Sequence, residues 1–180
     1  DSWYSSEDEI QRSIGGLYRT VFFTLNGNES TIDYSPWSDD NQSRASLNFI
    51  TGGTINGESD QVKERWQNGY KAIARANILL EKLEDANSVG ISEEKKQLYR
   101  AQTLFVRATQ YAILTSLFGD VVYIDKEISI DEAFEMGRTD REEVMENVYK
   151  DLDEAAHYLP ETYGTQREFA TKGAAYAIKA

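Results

Sequence analysis

The chain has 180 residues, 31 acids against 19 lysines and arginines, a net charge of −12 and no cysteine. That composition excludes disulfides and thiolate metal sites, and its summed field repels phosphate backbones and anionic lipid, so nucleic acid is not an expected partner. A chain of this length buries roughly 70% of the surface its unfolded form exposes, enough for one unstapled domain, and it has no apolar run of the ~18 residues a membrane-spanning helix needs.

Ser6-x-x-Glu9 reads as a capping box, and Ile10, Ile14, Leu17 and Val21 recur on one face behind it, which predicts a helix over about 7–23. Asn26, Gly27, Asn28 and Pro36 break that period, and residues 24–58 are polar, glycine-dotted and aperiodic, so a long loop insertion is expected there. From Asp60 to Leu83 the period returns. Val62, Trp66, Gly69, Tyr70, Ile73, Asn77 and Leu80 fall within about 80° of arc, which predicts a helix with that face buried. Residues 87–90 read as a turn, and Ser92 as the N-cap of a third helix to Phe118, with Glu93 and Glu94 suited to its positive end.

The third helix is apolar on two sides. Ala101, Leu104, Phe105, Ala108, Tyr111, Ala112 and Phe118 line one, and Val106, Ile113 and Leu117 line nearly the opposite one, so an inner helix with partners on both sides is expected. Between Gly119 and Ile130, the run Val121-Val122-Tyr123-Ile124 is either a strand or an extended connection. Thr139-x-x-Glu142 predicts the cap of a fourth helix, with Val144, Val148, Leu152, Ala155 and Leu159 inward and Glu143, Glu146, Lys150, Asp153 and His157 outward. Thr171 caps a fifth helix whose pattern still runs at Ala180, the pattern expected of a chain that continues in a longer protein. Four or five capped helices in antiparallel pairs suggest stacked hairpins of the tetratricopeptide type, although no strict period near 34 residues is visible.

Four blocks carry a family resemblance. Within Leu98 to Asp120 (LYRAQTLFVRATQYAILTSLFGD), Ala101, Phe105, Arg107, Ala108, Tyr111, Leu114, Phe118, Gly119 and Asp120, followed by Val121, match in register the EAxFLRAxxYFxLxxxFGDVP-like helix of the SusD/RagB family. Trp66, Tyr70, Ile73, Ala76, Asn77 and Ile78 are similar to its WxxxYxxIxxAN helix. Arg138 to Val144 (RTDREEV), then Asp151-Leu152, Ala155 and Leu159-Pro160, resemble its arginine-bearing turn and DLxxAxxxLP. Arg167 to Lys179 (REFATKGAAYAIK) resembles GRxTKxAAxALLAR. Two departures stand out: Val122 replaces the usual proline after Gly-Asp-Val, and residues 1–56 match only loosely.

The resemblance implies an all-α fold of tetratricopeptide-like helical hairpins in a right-handed superhelix, with residues 1–180 forming its N-terminal part. It implies a non-catalytic lipoprotein that binds glycans or other oligomeric nutrients at the outer membrane without a cofactor. Such a protein works with a SusC-like TonB-dependent transporter. DSWYSSEDEI has no basic or apolar signal-peptide region, so the resemblance places the signal peptide and the lipid-bearing cysteine, the only membrane attachment, upstream of Asp1.

Within the long loop, Trp37, Asp39, Asn41 and Arg44 combine an aromatic ring with donors and acceptors. A pyranose lays its C–H face on an indole and needs polar partners for its hydroxyl rim, so these four are the candidate ligand-binding residues. The alternative for Trp37 is that it pins the loop to the helices. Trp66 and Tyr70 lie on a buried helical face and read as core. Asn77 shares that face and is expected to be hydrogen-bonded, and Arg107 and Asp151 are expected to pair between helices. His157 falls on a charged outer face and reads as solvated rather than as a catalytic base. Asp39-Asp40-Asn41 lacks the glycine and glutamate of an EF-hand, and no metal site is nominated. The competing reading is a tetratricopeptide-like adaptor binding a protein or peptide. A hydrolase has no converging nucleophile, base and orienting group to support it.

Overall fold

In the computed structural model, residues 4, 6–19, 52–84, 90–165 and 168–180 are described, apart from the side chain of Gln61. Among them the secondary structure is helical: α1 (Glu7–Arg19), α2 (Asp60–Glu84), α3 (Glu93–Phe118), α4 (Ile130–Glu135), α5 (Arg141–Tyr158) and α6 (Lys172–Lys179). The only pairing of extended backbone among these residues is an isolated antiparallel bridge between Val121 and Thr139. The fold is all-α, built of helical hairpins.

Side-chain contacts give the helix directions. Gly69 of α2 meets Leu114 of α3, Asn77 meets Arg107, and Glu84 meets Arg100, so the two helices run antiparallel. Met145, Asp151 and Glu154 of α5 meet Thr115, Arg107 and Arg100 of α3, again antiparallel. Lys172 at the start of α6 bonds back to Pro160, and Lys179 at its end pairs with Asp153, so α5 and α6 form a second hairpin. α1 lies parallel to α3: Glu7 meets Lys95, Gln11 meets Tyr99, and the Tyr18 ring stacks on Phe105.

α3 is therefore the inner helix. Every residue from Ala101 to Tyr111 is buried. Each large apolar side chain so buried contributes roughly 1.5–3 kcal/mol. Polar residues survive there because they bond locally: Thr103, Thr109 and Thr115 donate to the carbonyls of Tyr99, Phe105 and Tyr111 at 2.8, 2.7 and 2.8 Å. Gln102 and Arg107 bond outside the helix, to Tyr163 and Asp151, whereas Gln110 has neither amide atom bonded among the described residues. Two-sided burial fades toward the C-terminal end, where Ile113 is half-buried and Leu117 is 41% exposed.

Gly69 lets α2 and α3 approach closely: a Cβ built there would stand 2.9 Å from Leu114 Cδ2 and 3.1 Å from its Cγ. Ser6 caps α1 through Glu9 N, Ser92 caps α3 through Lys95 N, and Thr171 caps α6 through Ala174 N, as expected from sequence. The fourth predicted helix, α5, is capped differently. Thr139 N–H is committed to the Val121 carbonyl at 2.8 Å, which holds Thr139 extended, and the cap moves one residue on to Asp140, whose carboxylate accepts from Glu142 N at 2.8 Å. Its inward and outward faces are as read from the sequence.

α4 is the element the period did not reveal. It is six residues long with no buried side chain, so it carries no apolar seam, yet Ser129 and Glu132 form a full capping box at its start. The predicted helix over 7–23 is seen as far as Arg19. The loop over 24–58 lies outside the described residues up to Thr51, and 52–58 are exposed.

Candidate functional site

The predicted ligand residues Trp37, Asp39, Asn41 and Arg44 lie outside the described residues. What the described part offers is a groove between α2 and the extended connection after α3, with a volume of about 420 Å³, within the usual range for ligand pockets. Trp66, Tyr70, Ile73, Ala74 and Ile78 form one wall, at spacings that keep them on one flank of the helix. Residues 122, 124 and 126–130, with Ala133, form the other.

The connection after α3 is held without a sheet. Gly119, at φ 69°, ends α3 in a left-handed conformation that glycine adopts freely, and the chain leaves in extended form. The side chains of α2 and α3 then take its backbone in turn. Tyr70 OH donates to Val122 O at 2.8 Å. Tyr111 OH donates to Ile124 O at 2.9 Å and accepts from Ile124 N at 2.7 Å. Asn77 Nδ2 donates to Ile124 O at 2.9 Å and Lys126 O at 3.2 Å. Arg107 Nη1 donates to Asp125 O at 3.0 Å and to Asn77 Oδ1 at 3.0 Å.

Behind this cradle, Arg107 Nε and Nη2 grip the two oxygens of Asp151 at 2.8 Å each, a bidentate pair between α3 and α5. The pairing and the satisfied Asn77 are as expected from the sequence, and the two belong to one network. Burial lifts the Asp151 carboxyl above its ordinary value, and the Arg107 fork opposes that rise. Burial likewise pushes the phenols of Tyr70 and Tyr123 up to about 12, so both stay neutral at physiological pH.

Trp66 and Tyr70 pack together at 4.9 Å between ring centroids, and Phe118 meets Trp66 edge-on at 5.2 Å. The Arg138 guanidinium lies 5.5 Å from the Trp66 centroid and is tied to Asp120 O at 3.0 Å. Both rings are half-buried: they pack against the core as expected and also face the groove. Sequence periodicity finds their inward side, whereas their groove side depends on a neighbouring segment with no period of its own. Two hydroxyls that line the groove are engaged within the fold, Tyr70 OH on Val122 O and Ser129 Oγ on Glu132 Oε2, each at 2.8 Å, and the charged residues Lys126 and Glu127 line it too. His157 stands exposed on α5, edge-on to Tyr158.

The sequence matches the model of a SusD-like family described as starch-binding and associating with outer membrane, over residues 3–180. SusD-like protein P25 of Formosa agariphila is 26% identical over all of this chain and 36% of its own length. SusD-like protein P2 of the same organism is 30% identical over 90% of this chain and 33% of its own length. The chain thus spans about a third of the curated relatives it matches. Among solved structures, a laminarin-binding SusD-like protein superposes with a TM-score of 0.82 at 26% identity, covering 97% of this chain and 39% of that one. A SusD-like carbohydrate-binding protein from Bacteroides fragilis has a TM-score of 0.84 at 23% identity, over 99% of this chain and 37% of that one, a likeness of fold.

Proposed function

This chain belongs to the SusD-like family, and from that membership we propose that it is the helical part of a cell-surface protein that captures glycans at the outer membrane. The observation that carries the reading is the family match over residues 3–180 on a fold shared with a laminarin-binding protein. In this reading the protein binds and does not cleave. It presents its ligand to a SusC-like TonB-dependent transporter and is held to the membrane by a lipid anchor. The hairpins α2–α3 and α5–α6 open a right-handed superhelix.

We assign the glycan contacts of this chain to Trp37, Asp39, Asn41 and Arg44. An indole face excludes water from one side of a pyranose, and the polar neighbours satisfy hydroxyls that would otherwise be stripped of water without replacement. The described helices supply a rigid base for such a loop, which is where binding residues are best placed. Titration of the protein with laminarin oligosaccharides and a wider oligosaccharide panel, wild type against Trp37→Ala, tests this. Affinity for at least one glycan should fall about tenfold with the substitution, the size of effect an aromatic anchor gives. Unchanged affinity across the panel removes Trp37 from the site, and no glycan bound by the wild type removes the capture function.

A further inference from the structure

The sequence holds three Asn-Gly dipeptides: Asn26-Gly27, Asn56-Gly57 and Asn68-Gly69. Such a pair is chemically weak, because glycine puts no Cβ beside the main-chain nitrogen that can attack the asparagine side chain. The first pair lies outside the described residues, and the fold treats the other two in opposite ways. Asn68-Gly69 sits in the interior of α2, where the Gly69 N–H is committed to the helix ladder and helical dihedrals hold it away from the Asn68 side chain. Gly69 is also buried against Leu114 of α3. Asn56-Gly57 precedes α2, and both residues are exposed. Asn56 Oδ1 accepts from Glu58 N at 2.9 Å, which folds the side chain back along the chain that follows it and polarises its Cγ–Oδ1 bond. Between them, the Gly57 N–H donates to nothing among the described residues, and a Cβ built on Gly57 would meet nothing within 4 Å.

From this contrast we propose that Asn56 is a site of spontaneous, irreversible covalent modification through a cyclic imide, whereas the same dipeptide in α2 is shielded by the fold. Gly57 N loses its proton to solvent and bonds to Asn56 Cγ. The negative charge of the tetrahedral intermediate rests on Oδ1, where the Glu58 N–H stabilises it. The Cγ–Nδ2 bond then breaks, and ammonia leaves with a proton from water. Water opens the imide at either carbonyl. Attack at Cγ gives aspartate, and attack at the Asn56 main-chain carbonyl gives isoaspartate, whose chain runs through the side-chain carbon. The net change is water taken up and ammonia released, with no oxidant or reductant. The place matters, because Asn56 N donates to Ser59 Oγ at 3.1 Å, Ser59 N donates to Asn56 O at 3.0 Å, and the Ser59 carbonyl takes the Val62 and Lys63 amides at 3.0 and 3.1 Å. Isoaspartate inserts a methylene and leaves a carboxylate at this joint, so aged molecules enter α2 differently from new ones. The inference goes beyond the glycan reading and rests on none of it.

The test is peptide mapping by mass spectrometry after the folded protein is incubated in neutral buffer at physiological temperature, with a zero-time sample to correct for digestion. Trypsin separates the three dipeptides into peptides 20–44, 45–63 and 66–71, and fragmentation places the change at Asn56. Asn56 should convert at least about tenfold faster than Asn68, which must await a local opening of α2. Isoaspartate should appear alongside aspartate, read by enzymatic methyl transfer to the isoaspartyl carboxylate. Gly57→Ala should slow conversion several-fold and keep the fold, since its Cβ has room and its φ is not left-handed. In urea-unfolded protein the two sites should react at comparable rates. An unreactive Asn56 in the folded chain, equal rates at the two sites there, or the same rate difference persisting in urea overturns the inference. So does aspartate formed without isoaspartate, or undiminished conversion in Gly57→Ala, since either removes the cyclic imide.

Discussion

Removing the Asp151 carboxylate should cost this protein a large share of its stability. Arg107 and Asp151 have side chains only 8% and 12% exposed, so Asp151→Ala leaves a guanidinium buried with the neutral acceptors Asn77 Oδ1 and Asp125 O as its named partners. Breaking a buried pair by removing one member costs about 3–5 kcal/mol, because the remaining charge keeps its desolvation penalty without its partner. For a chain of this size each kcal/mol moves Tm by about 2–4 °C, so a fall of about 10 °C is expected. Replacing both members, Arg107→Met with Asp151→Leu, removes the charge along with its partner and should recover part of that loss. Recovery is partial because Asn77 Oδ1 and Asp125 O lose the Arg107 donor. Urea unfolding followed by circular dichroism measures both variants. A loss below about 1 kcal/mol in Asp151→Ala, or a double variant no more stable than Asp151→Ala, refutes the reasoning.

Gly69→Ala gains helix propensity of up to about 1 kcal/mol but drives its Cβ against Leu114, including the less mobile Cγ at 3.1 Å; the expected net effect is a loss of about 1 kcal/mol, relieved by adding Leu114→Val and read from denaturation midpoints. Gln110→Met keeps the volume and removes two buried polar atoms that have no partner among the described residues, so unfolding should show a gain of about 1 kcal/mol. Bonds from Lys95 and Tyr99 hold the Glu7 carboxyl below its ordinary value, so the stability it contributes is present above that ordinary value and is lost as pH falls through the lowered one. NMR titration of Glu7 should show this depression shrink in Lys95→Met; an unchanged titration would exclude Lys95 as its main cause.

Much of this architecture is legible in the amino-acid order because strong local signals agree with one another. The spans 60–84, 93–118 and 141–158 announce themselves by apolar spacing, and Ser92 and Thr171 by capping chemistry. The Arg107 to Asp151 pair is legible because each is a charge at the edge of an apolar face, which has few ways to be satisfied. α4 is hidden because a six-residue helix without a buried side has no period to read, and Ser129-x-x-Glu132 is the one local sign of it. The shift of the cap from Thr139 to Asp140 depends on a bond that Thr139 N–H donates to the Val121 carbonyl, eighteen residues away, which local chemistry cannot contain. The groove is hidden for the same reason: half of it is an aperiodic segment whose place is set by tyrosine, asparagine and arginine side chains from other elements.

The manner in which Val122 to Lys126 is held has an evolutionary corollary. Tyr70, Asn77, Arg107 and Tyr111 all grasp main-chain atoms of that stretch, atoms that every amino acid possesses alike. The side chains of Val122 and Lys126, half-exposed and exposed, can therefore be exchanged with little cost to the body beneath, whereas Tyr123 packs on Tyr111. Val122 is such a place, since it is gripped by its carbonyl, which every residue including proline has. Selection can thus rewrite the molecular face shown along this ledge while the four residues beneath it stay fixed.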